Sequence, residues 1–112
     1  MTILEKLTDF YAGWKPGSDH DALLRKSRIA FFDFTGALLC GHHKGELSQI
    51  ALQYTKNQGT EGKCTILPEN ICGTAAQAAF YMGFAAHSVE YDDGHRGGTS
   101  HPAVAIVPAA LS

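Results

Sequence analysis

The stretch EYDDGHRGGTSHPAV, residues 90–104, gathers carboxylates, imidazoles and a guanidinium between two apolar runs. Histidine exchanges a proton near neutral pH, which suits general acid–base work. Arg96 can grip a carboxylate through two parallel N–H groups. Gly97 and Gly98 allow backbone N–H groups to approach a ligand. His101 stands at the expected start of a helix, where free N–H groups and the helix dipole attract anions. This combination predicts a pocket for a small carboxylate substrate in which a proton is moved. His101 is the expected acid or base, and Glu90 and Asp92 orient it or carry a proton. Arg96, with Asp93 and His95, is expected to hold the substrate.

Each of these residues also has a plainer reading. Asp92 and Asp93 could be solvated loop carboxylates, and His101 could simply cap a helix. His87 reads as a core histidine with its hydrogen bonds satisfied, and His42 and His43 as solvated residues past a helix end. Asp33 reads as structural, bonded to a nearby backbone N–H. A metal held by Asp92, Asp93, His95 and His101 was weighed as well. Their spacing matches neither the usual zinc patterns nor an EF-hand, so no metal is expected.

These side chains must be positioned by helices. Thr2 and Glu5 form a T-x-x-E capping box, and Ile3, Leu4, Leu7, Phe10 and Tyr11 recur at helical spacing. A first helix is therefore expected over about residues 3–13, closed by Gly13 and Pro16. A second, capped by Ser18 or Asp19, runs to about Cys40, with Leu24, Phe31, Phe34 and Leu38 on one face and Gly41 as its stop. Its second half is apolar nearly all round, which predicts deep burial. Gly36 within it predicts close approach of a neighbouring helix. A third helix spans about Gly45 to Gln58. KCTIL reads as a short strand broken by Pro68. Asn70 is the expected cap of a fourth helix through ICGTAAQAAFYMGFAAHSVEY, whose small residues suit a central, closely packed position. His87, Glu90 and Tyr91 would share a face at its end. Pro102 opens a fifth helix and Pro108 would kink it. The expected fold is all-α, with about five helices and at most one short strand.

The bulk properties narrow the function. Nine Lys and Arg against eleven Asp and Glu give a net charge of −2 with no basic stripe, which argues against nucleic acid. Cys40, Cys64 and Cys72 form neither a disulfide framework nor a zinc ribbon, and free thiols fit a reducing cytoplasm. The N-terminus does not read as a secretory signal. The longest apolar run, Ala75 to Ala86, falls short of the roughly 20 residues that cross a bilayer. The final AVAIVPAALS stops within an apolar helical pattern, so residues 1–112 are expected to be the N-terminal helical piece of a longer enzyme, inactive alone and prone to self-association.

The segment AAFYMGFAAHSVEYDDGHRGGTSHPAVAIVPAAL resembles the N-terminal signature of the MmgE/PrpD family, in His87, Glu90, Tyr91, Asp92, Asp93, His101, Pro102 and Pro108. Upstream, SRIAFFDFTGALLCG is similar to a family helix, with Asp33, Gly36 and Gly41 in place. The resemblance implies a cofactor-free lyase or isomerase acting on di- or tricarboxylates, such as 2-methylcitrate dehydratase, cis-aconitate decarboxylase or iminodisuccinate epimerase. It implies a helical lyase domain assembled from N- and C-terminal parts, a lid from later sequence, and homo-oligomers. It places Glu90 and His101 at the active site, with further histidine and lysine positions beyond residue 112. The decarboxylase branch has Asp and Thr where this chain has Glu90 and Gly94, and a shorter loop before His-Pro. The other reading is a stand-alone helical interaction module without catalysis.

Overall fold

The computed structural model of the chain describes residues 1–59 and 61–112. Five helices and one β-hairpin follow one another: α1 (Ile3–Gly13), α2 (His20–Lys44), α3 (Glu46–Asn57), β1 (Cys64–Ile66), β2 (Ile71–Gly73), α4 (Ala75–His87) and α5 (Ala103–Leu111). The chain is thus essentially all-α. The KCTIL segment does form a strand, and it pairs antiparallel with β2, Cys64 opposite Gly73 and Ile66 opposite Ile71. No helix among the described residues is long and apolar enough to cross a membrane.

α4 is the hub, packed against α2, α3, α5 and the hairpin. Its small residues make this possible, because backbones can approach where side chains are short. Ala78, Tyr81, Met82, Ala85 and Ala86 on α4 are buried against Phe34, Ala37 and Leu38 of α2, Leu52 of α3 and Ile66 of β1. The closest approaches need glycine. A Cβ on Gly41 would lie 1.7 Å from the Ala85 carbonyl oxygen, and one on Gly83 would lie 2.5 Å from that of Val104. Val104 is the residue whose carbonyl Pro108, lacking an N–H, leaves without its helical donor. That oxygen faces the bare Cα of Gly83, and the Pro108 ring is buried on the same side.

Several expectations are corrected here. α2 does not stop at Gly41 but continues to Lys44, because that glycine serves the α2–α4 crossing rather than a helix end. Gly36, expected at a crossing, has nothing within 4 Å of its Cβ position. The second half of α2 is buried on one face only, since Phe31, Phe32 and Leu39 are exposed. Asn70 does not cap α4. It takes a left-handed φ of 53° in the hairpin turn, and the cap is Thr74, paired with Gln77 in a second capping box. The first capping box, Thr2 with Glu5, forms as expected. α1 has no buried residue and leaves Leu4, Phe10 and Tyr11 open to solvent.

His42, expected in solvent, is instead buried. Its Nδ1 lies 2.7 Å from the Tyr81 hydroxyl and its Nε2 lies 3.4 Å from Glu69. With a proton on Nε2 facing the carboxylate, Nδ1 accepts the Tyr81 O–H. Glu69 also binds Lys56 at 2.8 Å, tying α2, α3, α4 and the hairpin turn into one polar chain. The Lys56 hydrogen bond holds the Glu69 carboxyl below its ordinary range, against an opposing effect of burial. Burial, with Glu69 nearby, pushes the Tyr81 hydroxyl up to about 12.

Candidate active site

The site forms where α4 ends and the chain turns towards α5. Ser88 closes α4, and its hydroxyl donates to the Ala85 carbonyl while accepting from Ser48, which pins this corner to α3. The next residues place two aspartates with opposite tasks. Asp93 Oδ1 accepts the Ala103 N–H at 3.0 Å, so it caps α5 from outside the helix. The N-cap position itself is Pro102, not His101 as expected, and proline has no side-chain acceptor to offer. Asp93 therefore supplies what the local sequence lacks.

Asp92 turns inward, with a side chain 0% exposed. His87, in the last turn of α4, has Nδ1 at 3.0 Å from its Oδ2 and 3.2 Å from its Oδ1. His101, just ahead of α5, has Nδ1 at 3.0 Å from the same Oδ2. The His87 contact is a hydrogen bond, and the His101 nitrogen stands at the same distance from the carboxylate. The imidazoles meet edge to face, with centroids 4.8 Å apart. A carboxylate cannot donate, so a proton on Nδ1 of each ring is the arrangement that avoids facing lone pairs. Each neutral ring then keeps its Nε2 lone pair on the side away from Asp92. The imidazole side chains are 47% and 39% exposed for His87 and His101, so those edges are accessible.

Of the sequence candidates, the structure brings His101 and Asp92 into contact. Glu90 is exposed, with a left-handed φ of 51°, and its carboxylate has no polar partner among the described residues. The helix has ended before it, so Glu90 does not share a helical face with His87. His95 is folded into its own turn, where Nδ1 accepts the Gly98 N–H at 2.8 Å. Arg96 is exposed on that turn. His87, read from sequence as a core histidine, is instead a member of the cluster. The signal was present in its position five residues before Asp92, close enough to fold back once α4 stops. Asp33, read as bonded to a backbone N–H, makes no side-chain hydrogen bond among the described residues; it is exposed and lines a groove of about 500 Å³ with Phe32, Cys40 and Tyr91.

A half-exposed imidazole pair oriented by one buried carboxylate can accept and return a proton at Nε2. The fold and the site together define a helical domain with an acid–histidine cluster at a helix junction. The MmgE/PrpD N-terminal domain matches residues 5–112, and the chain belongs to that family. No curated protein and no solved structure matches the chain.

Proposed function

We propose that this domain supplies the proton-transfer group of a cofactor-free lyase or isomerase acting on a di- or tricarboxylate. The supporting observation is the buried Asp92 carboxylate 3.0 Å from His101 Nδ1, which orients that ring and leaves Nε2 for the substrate. His101 takes the proton from the carbon next to a substrate carboxylate. Departure of a β-hydroxyl, protonated by a general acid to leave as water, completes a dehydration, and return of the proton completes an epimerisation; in a decarboxylation carbon dioxide leaves first and the protonated ring delivers its proton to the resulting carbanion. Asp92 favours the imidazolium that forms, by charge. Glu90 and Arg96, both exposed beside the cluster, meet the substrate, with Arg96 pairing one of its carboxylates. Asp93 and His95 shape the same rim. On this reading further histidine and lysine positions, implied by the resemblance, complete the site. Turnover is therefore assayed on the polypeptide that carries this domain with them, and substrate binding on the domain itself.

The test is deuterium incorporation next to the carboxylate of citrate-class and aspartate-class compounds, followed by NMR in heavy water. His101→Ala should slow exchange about 10²–10⁴-fold, the usual contribution of one general acid or base. Exchange at the wild-type rate in a folded variant would remove His101 from the reaction.

A second reading concerns assembly. Leu47, Ile50, Tyr54, Phe80 and Phe84 leave an exposed apolar face along α3 and α4, and α1 carries an apolar face that packs on no other helix or strand among the described residues. Self-association through these faces accompanies the enzymatic reading or, without catalysis, replaces it.

A further inference from the structure

The donor atoms that orient His101 also form a metal-ligand set. One ring nitrogen of His87, a carboxylate oxygen of Asp92 and one ring nitrogen of His101 all lie within 4.8 Å of one another, and both Nδ1 atoms stand 3.0 Å from Asp92 Oδ2. Two imidazoles and one carboxylate are the donor types of three-protein-ligand zinc sites, with bonds of about 2.0–2.2 Å and a fourth position for solvent. Donors around such an ion stand about 3.4 Å apart, so tilts of the two half-exposed rings reach the geometry while Asp92 stays fixed. This is not the set weighed from the sequence. Asp93 is held at the α5 N-terminus and His95 in its own turn, and His87 takes their place.

We infer that this cluster is an inhibitory site for a borderline divalent transition metal of the zinc class. The chemistry follows from the tautomers. In a neutral, metal-free ring the Nδ1–H tautomer is the one that avoids facing lone pairs at Asp92, and it leaves Nε2 its lone pair. A neutral imidazole that coordinates through Nδ1 must carry its proton on Nε2 instead. The proton moves from one nitrogen to the other, and none needs to leave the ring. The metal thus converts the Nε2 acceptor of His101 into a donor and claims the carboxylate that would stabilise its charged form. A base becomes unable to accept a proton without any blockage of the substrate path. Only the inhibitory consequence rests on the proposed role of His101; the binding itself does not.

The experiment begins with calorimetric titration of Zn²⁺ into the full chain and into His87→Gln, His101→Gln and Asp92→Asn, with His20→Ala as control. One equivalent should bind, each ligand variant should weaken binding at least tenfold, and the control should not change. His87→Gln and His101→Gln alter half-exposed residues, so the test survives if Asp92→Asn fails to fold. Nitrogen NMR of the two rings should show coordination at Nδ1 and the proton on Nε2, and Co²⁺ should give the visible absorption of a four-coordinate ion. Absence of one-equivalent binding, or binding unchanged in both glutamine variants, overturns the metal site and leaves the proton-transfer reading untouched. Turnover that persists with the site filled by Zn²⁺ overturns the inhibition and the role of His101 together.

Discussion

Gly41→Ala tests the α2–α4 crossing that carries the site. The added methyl would stand 1.7 Å from the Ala85 carbonyl oxygen, 2.8 Å from its carbon and 2.7 Å from Ser88 Oγ. The first contact is more than an ångström inside the 3.0 Å that real Cβ atoms keep. The obstacle is the backbone of the central helix, which cannot rotate away as a side chain could. Relief therefore requires the helices to part, at about 1–3 kcal/mol for overpacking and at the upper end for a backbone clash. Alanine gains back up to about 1 kcal/mol of helix propensity. A net loss of about 2 kcal/mol is expected. Gly36→Ala, on the same helix with open space around it, should show only the gain of up to about 1 kcal/mol. Urea denaturation followed by far-ultraviolet circular dichroism measures both. With a slope of about 1–3 kcal/mol/M, the two midpoints should differ by one molar or more. The ring signals of His87, two residues beyond Ala85, should shift in Gly41→Ala and not in Gly36→Ala. Equal midpoints, or a gain for Gly41→Ala, would refute the close crossing.

Asp93→Ala should cost about 0.5–2 kcal/mol, the usual value of a helix cap, and should expose the Ala103 amide to faster hydrogen exchange while Val107 is unaffected. Lowering the pH through and below 4.5 should remove the Lys56–Glu69 contribution, because a depressed carboxyl stabilises the fold only while ionised; Lys56→Met should flatten that acid limb, by about 0.2–1 kcal/mol for so accessible a pair. At the alkaline end the sign reverses in form. Tyr81 holds its proton to about 12, so its contribution is complete below 10.0 and is lost as the pH climbs towards 12, which Tyr81→Phe should abolish in urea melts across that range. The chain should sediment as more than a monomer at micromolar concentration, and Ile50→Lys with Phe80→Lys should return it to one; a wild-type monomer would show that the open faces stay wet.

Helix type and rough position were legible because apolar spacing reports them directly. Helix ends were not, where one residue type serves two purposes. Gly41 looked like a stop because glycine often is one, yet only the fold shows the Ala85 carbonyl lying against it. Asn70 read as the cap of the fourth helix in isolation, and the structure gives that place to Thr74. The deciding fact was the pairing of ICG with CTI, a contact between segments that periodicity does not report. Within the site, the loop aspartates and His101 stood out by type. The division of labour between Asp92 and Asp93 did not, because it depends on which carboxylate meets the α5 amide. Depth was hardest to read. His42 and His87 each occupy the end of a helix; nothing local to the sequence says that Tyr81 awaits the first, and only the five-residue spacing to Asp92 hints at the partner of the second.

The turn between the two histidine-bearing helix ends has a consequence for how such a domain diversifies. His95 N–H bonds the Ser100 carbonyl at 2.8 Å and Gly98 N–H bonds the His95 carbonyl at 3.1 Å, so the intervening residues close on themselves. Every residue from Gly94 to Ser100 is exposed. Asp92 and Asp93 are fixed before the turn begins, and His101 is held after it closes. Residues can therefore be added, lost or exchanged at Arg96 to Thr99 without disturbing the spacing of the proton-handling groups. Under the proposed function, the rim that would face a ligand and the groups that would handle its proton lie on separate stretches of chain.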